Sequence, residues 1–449
     1  MAKADKAMGR AGGVRGTGIA ALAGMALLLA ACASPGPSTV PTPAPVPQAP
    51  PPVERPVVQA PPAPVDDGKV RVAVLVPLSG RGAGVGQSML DAAQMALFDV
   101  ADERLVLVPR DTGGSPEGAV AAAREAIAEG ADLILGPLFG PDATVVKPVA
   151  AAAGVPVLTF SNDWTVAGGG MWVLGFQPQD QVARVAGHAA AQGFTTFGVL
   201  APATPYGQAV VESLRGAVER NGGQITKVEL YSPGQTDVTE AVKRLSDYDL
   251  RRQALAEERA KLTALAGQGD QAADRALRRL ANAETFGDLP FRAVMIAEGG
   301  QSLRELASLF PFFDVDPGPV KFLGTGLWDE PGIGREPALL GGWFAAPPPD
   351  ARQEFEARFE ALYGQRPHRL ATLAYDATAL AAVLARTSTD NRPYEPGDLT
   401  NPNGFAGIDG IFRLLPGGLT ERALAVMEVT RTGTIIIDPA RQTFEDQAF

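Results

Sequence analysis

Three loops in this chain carry residue types at a spacing that could do chemistry. The first runs Ser79-Gly80-Arg81-Gly82-Ala83-Gly84-Val85-Gly86, where alternating glycines let the backbone turn tightly and approach a ligand with no Cβ in the way. The second is Ser161-Asn162-Asp163-Trp164, a hydroxyl, an amide, a carboxylate and an aromatic ring in succession after an apolar run. The third is Glu298-Gly299-Gly300, which follows another apolar run. Tyr206, in Thr204-Pro205-Tyr206-Gly207, and Trp164 are large amphipathic rings able to close on the apolar part of a ligand. The glycines alternate with no frame that satisfies G-x-G-x-x-G, and no G-x-x-x-x-G-K-[ST] is present. The first loop therefore reads as a wall for a small molecule or as a structural turn, not as a nucleotide cradle. Covalent and metal chemistry finds little material: His188 and His368 are the two histidines, Cys32 is the single cysteine, and there is no H-E-x-x-H. The expectation is a non-enzymatic binding protein without cofactor or metal.

These loops need elements to hold them, and the hydrophobic pattern supplies a repeated one. Val70 to Val76 is a near-continuous β-branched run, as in a parallel strand covered on both faces. Pro77 stops it, and a helix is expected from Gln87, so the first loop sits at the carboxyl end of a strand, where open α/β sheets bind ligands. Short apolar strands then alternate with alanine-rich helices through Phe160. The pattern restarts after the chain leaves this lobe at Trp172 to Gln181, with strands at Phe197 to Ala201 and Gln224 to Tyr231. Two similar lobes imply a cleft between them. The expected division is a first lobe of residues 68–180 and 346–415 and a second of 181–345 and 416–449. Residues 246–286 interrupt the second lobe with two charged helical stretches. Glu257 with Lys261 and Asp274 with Arg278 stand at i,i+4, and leucines give each helix a narrow apolar stripe, so the two should pair as a hairpin, either a solvated decoration or a docking arm.

The N-terminus reads as a targeting segment over residues 1–31. Lys3, Lys6, Arg10 and Arg15 precede an apolar core, Ile19 to Ala31, that is too short to span a bilayer. Leu29-Ala30-Ala31-Cys32 resembles the lipobox of bacterial lipoproteins, which implies cleavage before Cys32 and lipid attachment to its sulfur. Ala33 and Ser34 then favour the outer membrane by the same analogy. Residues 32–67 read as a tether, with 13 prolines between Ala33 and Val65, and a polyproline II chain of that length reaches about 100 Å. Without the signal's four basic residues and Asp5, the formal charge moves from −11 to −14, which argues against nucleic acid as a partner.

The succession Val76-Pro77-Leu78-Ser79-Gly80, Gly86-Gln87-Ser88, Leu135-Gly136-Pro137, Val155-Pro156-Val157-Leu158 and Tyr206-Gly207 resembles the leucine/isoleucine/valine-binding family of type I periplasmic binding proteins. That resemblance implies two Rossmann-like α/β lobes with parallel sheets. It also implies that an amino acid's carboxylate would meet Ser79, Gly80, Phe139 and Gly140, and its ammonium Ser161 and Glu298, with Asn162 beside them. Where members that grip amino acids carry a small hydroxyl residue, this chain has Leu138 and Phe139, a bulky pair expected to occlude the carboxylate site. Anchor, tether, body and insertion together resemble the penicillin-binding-protein activator branch, which implies a lipoprotein partner of a peptidoglycan synthase. The alternative is the amino-acid-binding subunit of an ABC importer, partnered by a permease.

Overall fold

In the computed structural model, residues 68–232, 234, 238–388 and 393–444 are described, all within the compact unit Pro61–Phe449. The signal, the tether and Cys32 lie outside the described residues.

The first sheet forms from β1 (Val70–Val76), β2 (Leu105–Asp111), β3 (Leu133–Leu135), β4 (Val157–Thr159) and β5 (Met171–Val173), in the order β2-β1-β3-β4-β5. All its pairings are parallel, so both faces must be covered, and Val72 to Val76 is fully buried. One face is covered by α2 (Pro116–Ala128) and α3 (Gly140–Ala153), the other by α1 (Ala83–Val100). Two details differ from the sequence expectation. The chain adds β5 before it leaves this lobe. And α1 begins at Ala83 rather than Gln87, because Gly86 serves helix packing instead of loop bending: a Cβ there would stand 1.8 Å from the Pro77 carbonyl oxygen.

The second sheet begins with β6 (Thr196–Pro202), β7 (Gln224–Tyr231), β8 (Ala293–Ile296), β9 (Lys321–Gly324) and β10 (Trp343–Ala346). Three short strands, β11 (Phe405–Gly407), β12 (Gly410–Leu414) and β13 (Thr420–Arg422), form a small antiparallel sheet of their own that the periodicity did not reveal. The last strands, β14 (Ala425–Thr430) and β15 (Gly433–Asp438), then complete a seven-stranded sheet, β15-β14-β10-β9-β8-β6-β7. Helices α4 (Pro178–Ala191) and α5 (Pro205–Arg220) cover one face, and α6 (Thr239–Leu245) lies on the other.

The insertion is a helical pair, α7 (Tyr248–Gly267) and α8 (Gln271–Leu280). Asp274 meets Arg278 at 2.5 Å as expected, whereas Lys261 reaches Glu258 at 3.5 Å, and Glu257 instead accepts from Gln253 at 2.8 Å. The root is firm: Arg251 is buried and donates to the Asp314 carboxylate at 3.0 Å, while Arg259 caps the end of α8 by donating to the carbonyls of Leu280 and Ala283. Beyond it, α9 (Gly300–Phe312) joins α6 on the second sheet. The chain then returns through α10 (Asp350–Tyr363) and α11 (Ala371–Thr387), which pack against α1. Near this crossing, Val173 N–H donates to the Gly418 carbonyl at 2.8 Å and the Trp172 indole to the Leu415 carbonyl at 3.0 Å, which binds two of the crossing segments to each other.

Candidate ligand cleft

The strand tips of both lobes open onto one cavity of about 420 Å³, a volume within the range for small-molecule sites. From the first lobe come Val85 at the start of α1, Leu138 and Phe139 after β3, Phe160 and Asn162 after β4, and Phe176 after β5. From the second come Gln181 on α4, Tyr206 on α5, and Leu327 and Asp329 beyond β9. His368, Arg369 and Leu370, on the segment entering α11, close it.

Leu138 and Phe139 wall this cavity without filling it. Leu138 is buried, and the Phe139 ring stands against the Arg81 guanidinium, 4.7 Å from its centroid. Gly82 makes room for that ring, since a Cβ there would meet it at 2.9 Å.

Of the residues singled out in the sequence, Phe139, Asn162 and Tyr206 line the cavity; Ser79, Gly80, Gly140, Ser161, Trp164 and Glu298 do not. Each of the latter has a local engagement. The Ser79 hydroxyl donates to Asp111 at 2.5 Å, and Asp111 also accepts from the N–H groups of Leu78, Ser79 and Gly113. The Ser79 bond, with these backbone donors, lowers the Asp111 carboxyl to about 2. Gly80 sits at φ +64, facing the Gly113 carbonyl. Gly140 opens α3 and packs on Asp163. The buried Ser161 hydroxyl accepts from Asp163 N–H at 3.0 Å. Trp164 lies in a separate surface hollow with Pro205 and Gln208. Glu298 accepts the Tyr231 hydroxyl, and burial with that carboxylate pushes the Tyr231 phenol well up.

The polar groups that do face the cavity are mostly ones the sequence left unmarked. Gln181 Oε1 accepts from Gly326 N–H at 2.8 Å, and the Tyr206 hydroxyl shares a 2.7 Å hydrogen bond with Thr325. Burial pushes the Tyr206 phenol up to about 12, so it remains protonated at neutral pH. Asp329 receives both bonds from one terminal nitrogen of Arg352, each 3.1 Å, and Arg352 also reaches Glu356 at 3.2 Å. Arg369 pairs with the fully buried Asp409 at 2.8 and 3.2 Å, which also accepts from the Thr372 hydroxyl at 2.5 Å. The His368 ring accepts Leu370 N–H on Nδ1 at 3.2 Å, and burial, aided by Arg369, lowers its pKa.

In the cleft wall, the Phe176 ring meets two guanidiniums, Arg369 at 4.5 Å and Arg422 at 5.2 Å from its ring centroid. Arg422 donates from Nη2 to the Leu174 carbonyl at 3.2 Å, while its Nε and Nη1 are buried without a hydrogen-bond partner. Asp376 is buried nearby and accepts from Ile408 N–H; burial, with Asp409 beside it, pushes its carboxyl up. Strand-tip logic would have found Asp329, five residues past β9. Arg369 had no such signal, because its role depends on a crossing segment and on Asp409, forty positions away.

Comparison with known proteins agrees with this architecture. The profile of the family described as "Periplasmic binding protein" matches residues 69–434. An uncharacterized protein of Rickettsia prowazekii is 24% identical over 179 residues, 40% of this chain and 48% of that protein. The Leu/Ile/Val-binding protein BraC3 of Rhizobium johnstonii is 25% identical over 196 residues, 41% of this chain and 53% of that protein. The match thus spans about half the length of these curated relatives. A solved structure from Rhodospirillum rubrum, described as a putative branched-chain amino acid ABC transporter, superposes with a TM-score of 0.65 at 17% identity, over 82% of this chain and all of that one. With the family profile covering most of its length and two α/β lobes around one cleft, the first sheet parallel and the second parallel except at β14 and β15, the chain belongs to the periplasmic binding protein family.

Proposed function

We propose that this protein captures a small organic ligand between its lobes, without altering it, and delivers it to the permease of an ABC importer. The cavity carries this reading: it is open, it draws on both lobes, and its walls are pre-formed by strand-tip loops. Lobes joined by crossing segments suit hinge closure around a ligand. The importer-type relatives, and the periplasm-facing setting of the family, support the partner. The test is calorimetry on the full chain with a panel of small organic ligands, with small-angle scattering beside it. Saturable binding with a smaller radius of gyration is the expected outcome. No binding across the panel would overturn the reading.

One observation favours a second reading, the lipid-anchored activator of a peptidoglycan synthase at the outer membrane. The α7–α8 hairpin is rooted through Arg251 and Asp314 and contributes nothing to the cleft lining, as suits an arm for docking a protein. Deleting residues 247–283 separates the two. Importer function expects ligand binding and transport to survive, whereas the activator role expects loss of synthase pull-down from a protein that still melts cooperatively.

A further inference from the structure

Among the described residues, four titratable side chains line the cleft: Tyr206, Asp329, His368 and Arg369. None offers a ligand an unmatched charge. Asp329 is held by Arg352, Arg369 by Asp409, Tyr206 stays protonated, and His368 is disfavoured as a cation by burial and by its arginine neighbour. The next rank of charges also lies among neighbours of opposite sign, with Arg422 near Asp409, Asp376 and Asp180, and Glu356 accepting from the other terminal nitrogen of Arg352. The groups expected to hold an amino acid's ends, Ser79 and Glu298, lie off the cleft and are bonded to Asp111 and Tyr231. The remaining lining is chiefly apolar and aromatic, with Asn162 and Gln181 as neutral hydrogen-bonding groups.

Resting on the solute-capture reading, we propose that the cleft selects an uncharged, largely apolar ligand about the size of a substituted aromatic ring, and rejects zwitterionic amino acids. An ammonium or carboxylate entering here loses its hydration, at an effective cost of several kcal/mol per ion. The formal charges that could offset that cost, on Asp329 and Arg369, are already paired within the protein. An uncharged molecule has no such cost and gains from apolar burial.

Four probes sharing one phenyl-bearing body decide this by calorimetry on the full chain: hydrocinnamamide (uncharged), hydrocinnamate (anion), phenethylammonium (cation) and phenylalanine (zwitterion). The amide is expected to bind at least about tenfold more tightly than any charged probe, a difference of about 1.4 kcal/mol. Val85→Trp at the start of α1 and Leu370→Trp at the entry to α11, which narrow the cleft from two segments of the first lobe, should each abolish that binding while the thermal midpoint holds. Equal or tighter binding of phenylalanine or either ion overturns the inference and leaves solute capture standing. Amide binding that survives in both tryptophan variants with native melting places the site elsewhere and also overturns it. Silence from all four probes, and from isocaproamide, isocaproate and leucine, removes the solute-capture reading together with this one.

Discussion

The β1–α1 and β6–α5 units are the same device built twice, and they are used differently. In each, a parallel strand runs to a proline, Pro77 or Pro202, and a glycine in the following helix packs against that proline's carbonyl. An added Cβ would stand 1.8 Å from the oxygen at Gly86 and 1.9 Å at Gly207. The loops then part ways. After β1, Ser79 bonds through its hydroxyl and its N–H to Asp111 at the end of β2. After β6, Thr204 caps the helix, accepting Gly207 N–H at 3.2 Å, and Tyr206 is left to face the cleft. Frame and function are therefore separable: the glycine–proline contact fixes where a strand tip points, and the intervening side chains decide whether it meets a ligand.

The sharpest way to break this equivalence is to add one methyl group to each unit. Gly86→Ala and Gly207→Ala should each destabilise by about 3 kcal/mol or more, since the obstacle is backbone rather than a side chain that can swing aside. Urea unfolding measures both. Losses within about 1 kcal/mol of each other support a shared frame, and a mild effect at only one site would show that its unit can relax and that the likeness is superficial.

This separation also accounts for what the sequence revealed. The frame was legible because it is local: Val70 to Val76, Pro77 and the glycines lie within a few positions of each other, and apolar periodicity marks buried strands and helices directly. Strand tips were expected to surround a cleft, and of the residues named there Phe139, Asn162 and Tyr206 line the cavity. The polarity of the cleft was not legible. Whether Ser79 faces a ligand depends on Asp111, thirty-two positions away, and whether Arg369 is a free cation depends on Asp409. The small sheet β11–β13 went unseen because two of its strands have only three residues, too few to display a period.

A smaller effect separates the loops by pH. Because its hydrogen bonds, led by that from Ser79, depress Asp111 to about 2, the carboxylate stabilises the fold above its ordinary value near 4. That contribution is lost as pH falls from there toward 2. Asp111→Asn should therefore remove part of the acid-side loss of stability. It should cost about 1 kcal/mol at pH 7, given how exposed the pair is. Ligand affinity should not change, because neither Asp111 nor its partner Ser79 lines the cleft. An affinity loss in this variant would put Ser79 and its turn back among the binding elements.

The smallest effect is expected at Tyr206→Phe, and it tests what the second loop contributes. The hydroxyl is engaged with Thr325, within its own lobe, at 2.7 Å, so its removal forfeits one neutral hydrogen bond, about 1 kcal/mol of stability. Thr325 Oγ1 keeps a second bond, from Leu327 N–H at 3.4 Å, and is not orphaned. The ring stays, and with it the apolar surface presented to the cleft. Affinity for an uncharged probe should then change by less than about threefold, under 1 kcal/mol. A tenfold loss would mean that the hydroxyl leaves Thr325 to bind the ligand. The two loops would then differ not in whether they satisfy their polar groups internally, but in whether they release them when a ligand arrives.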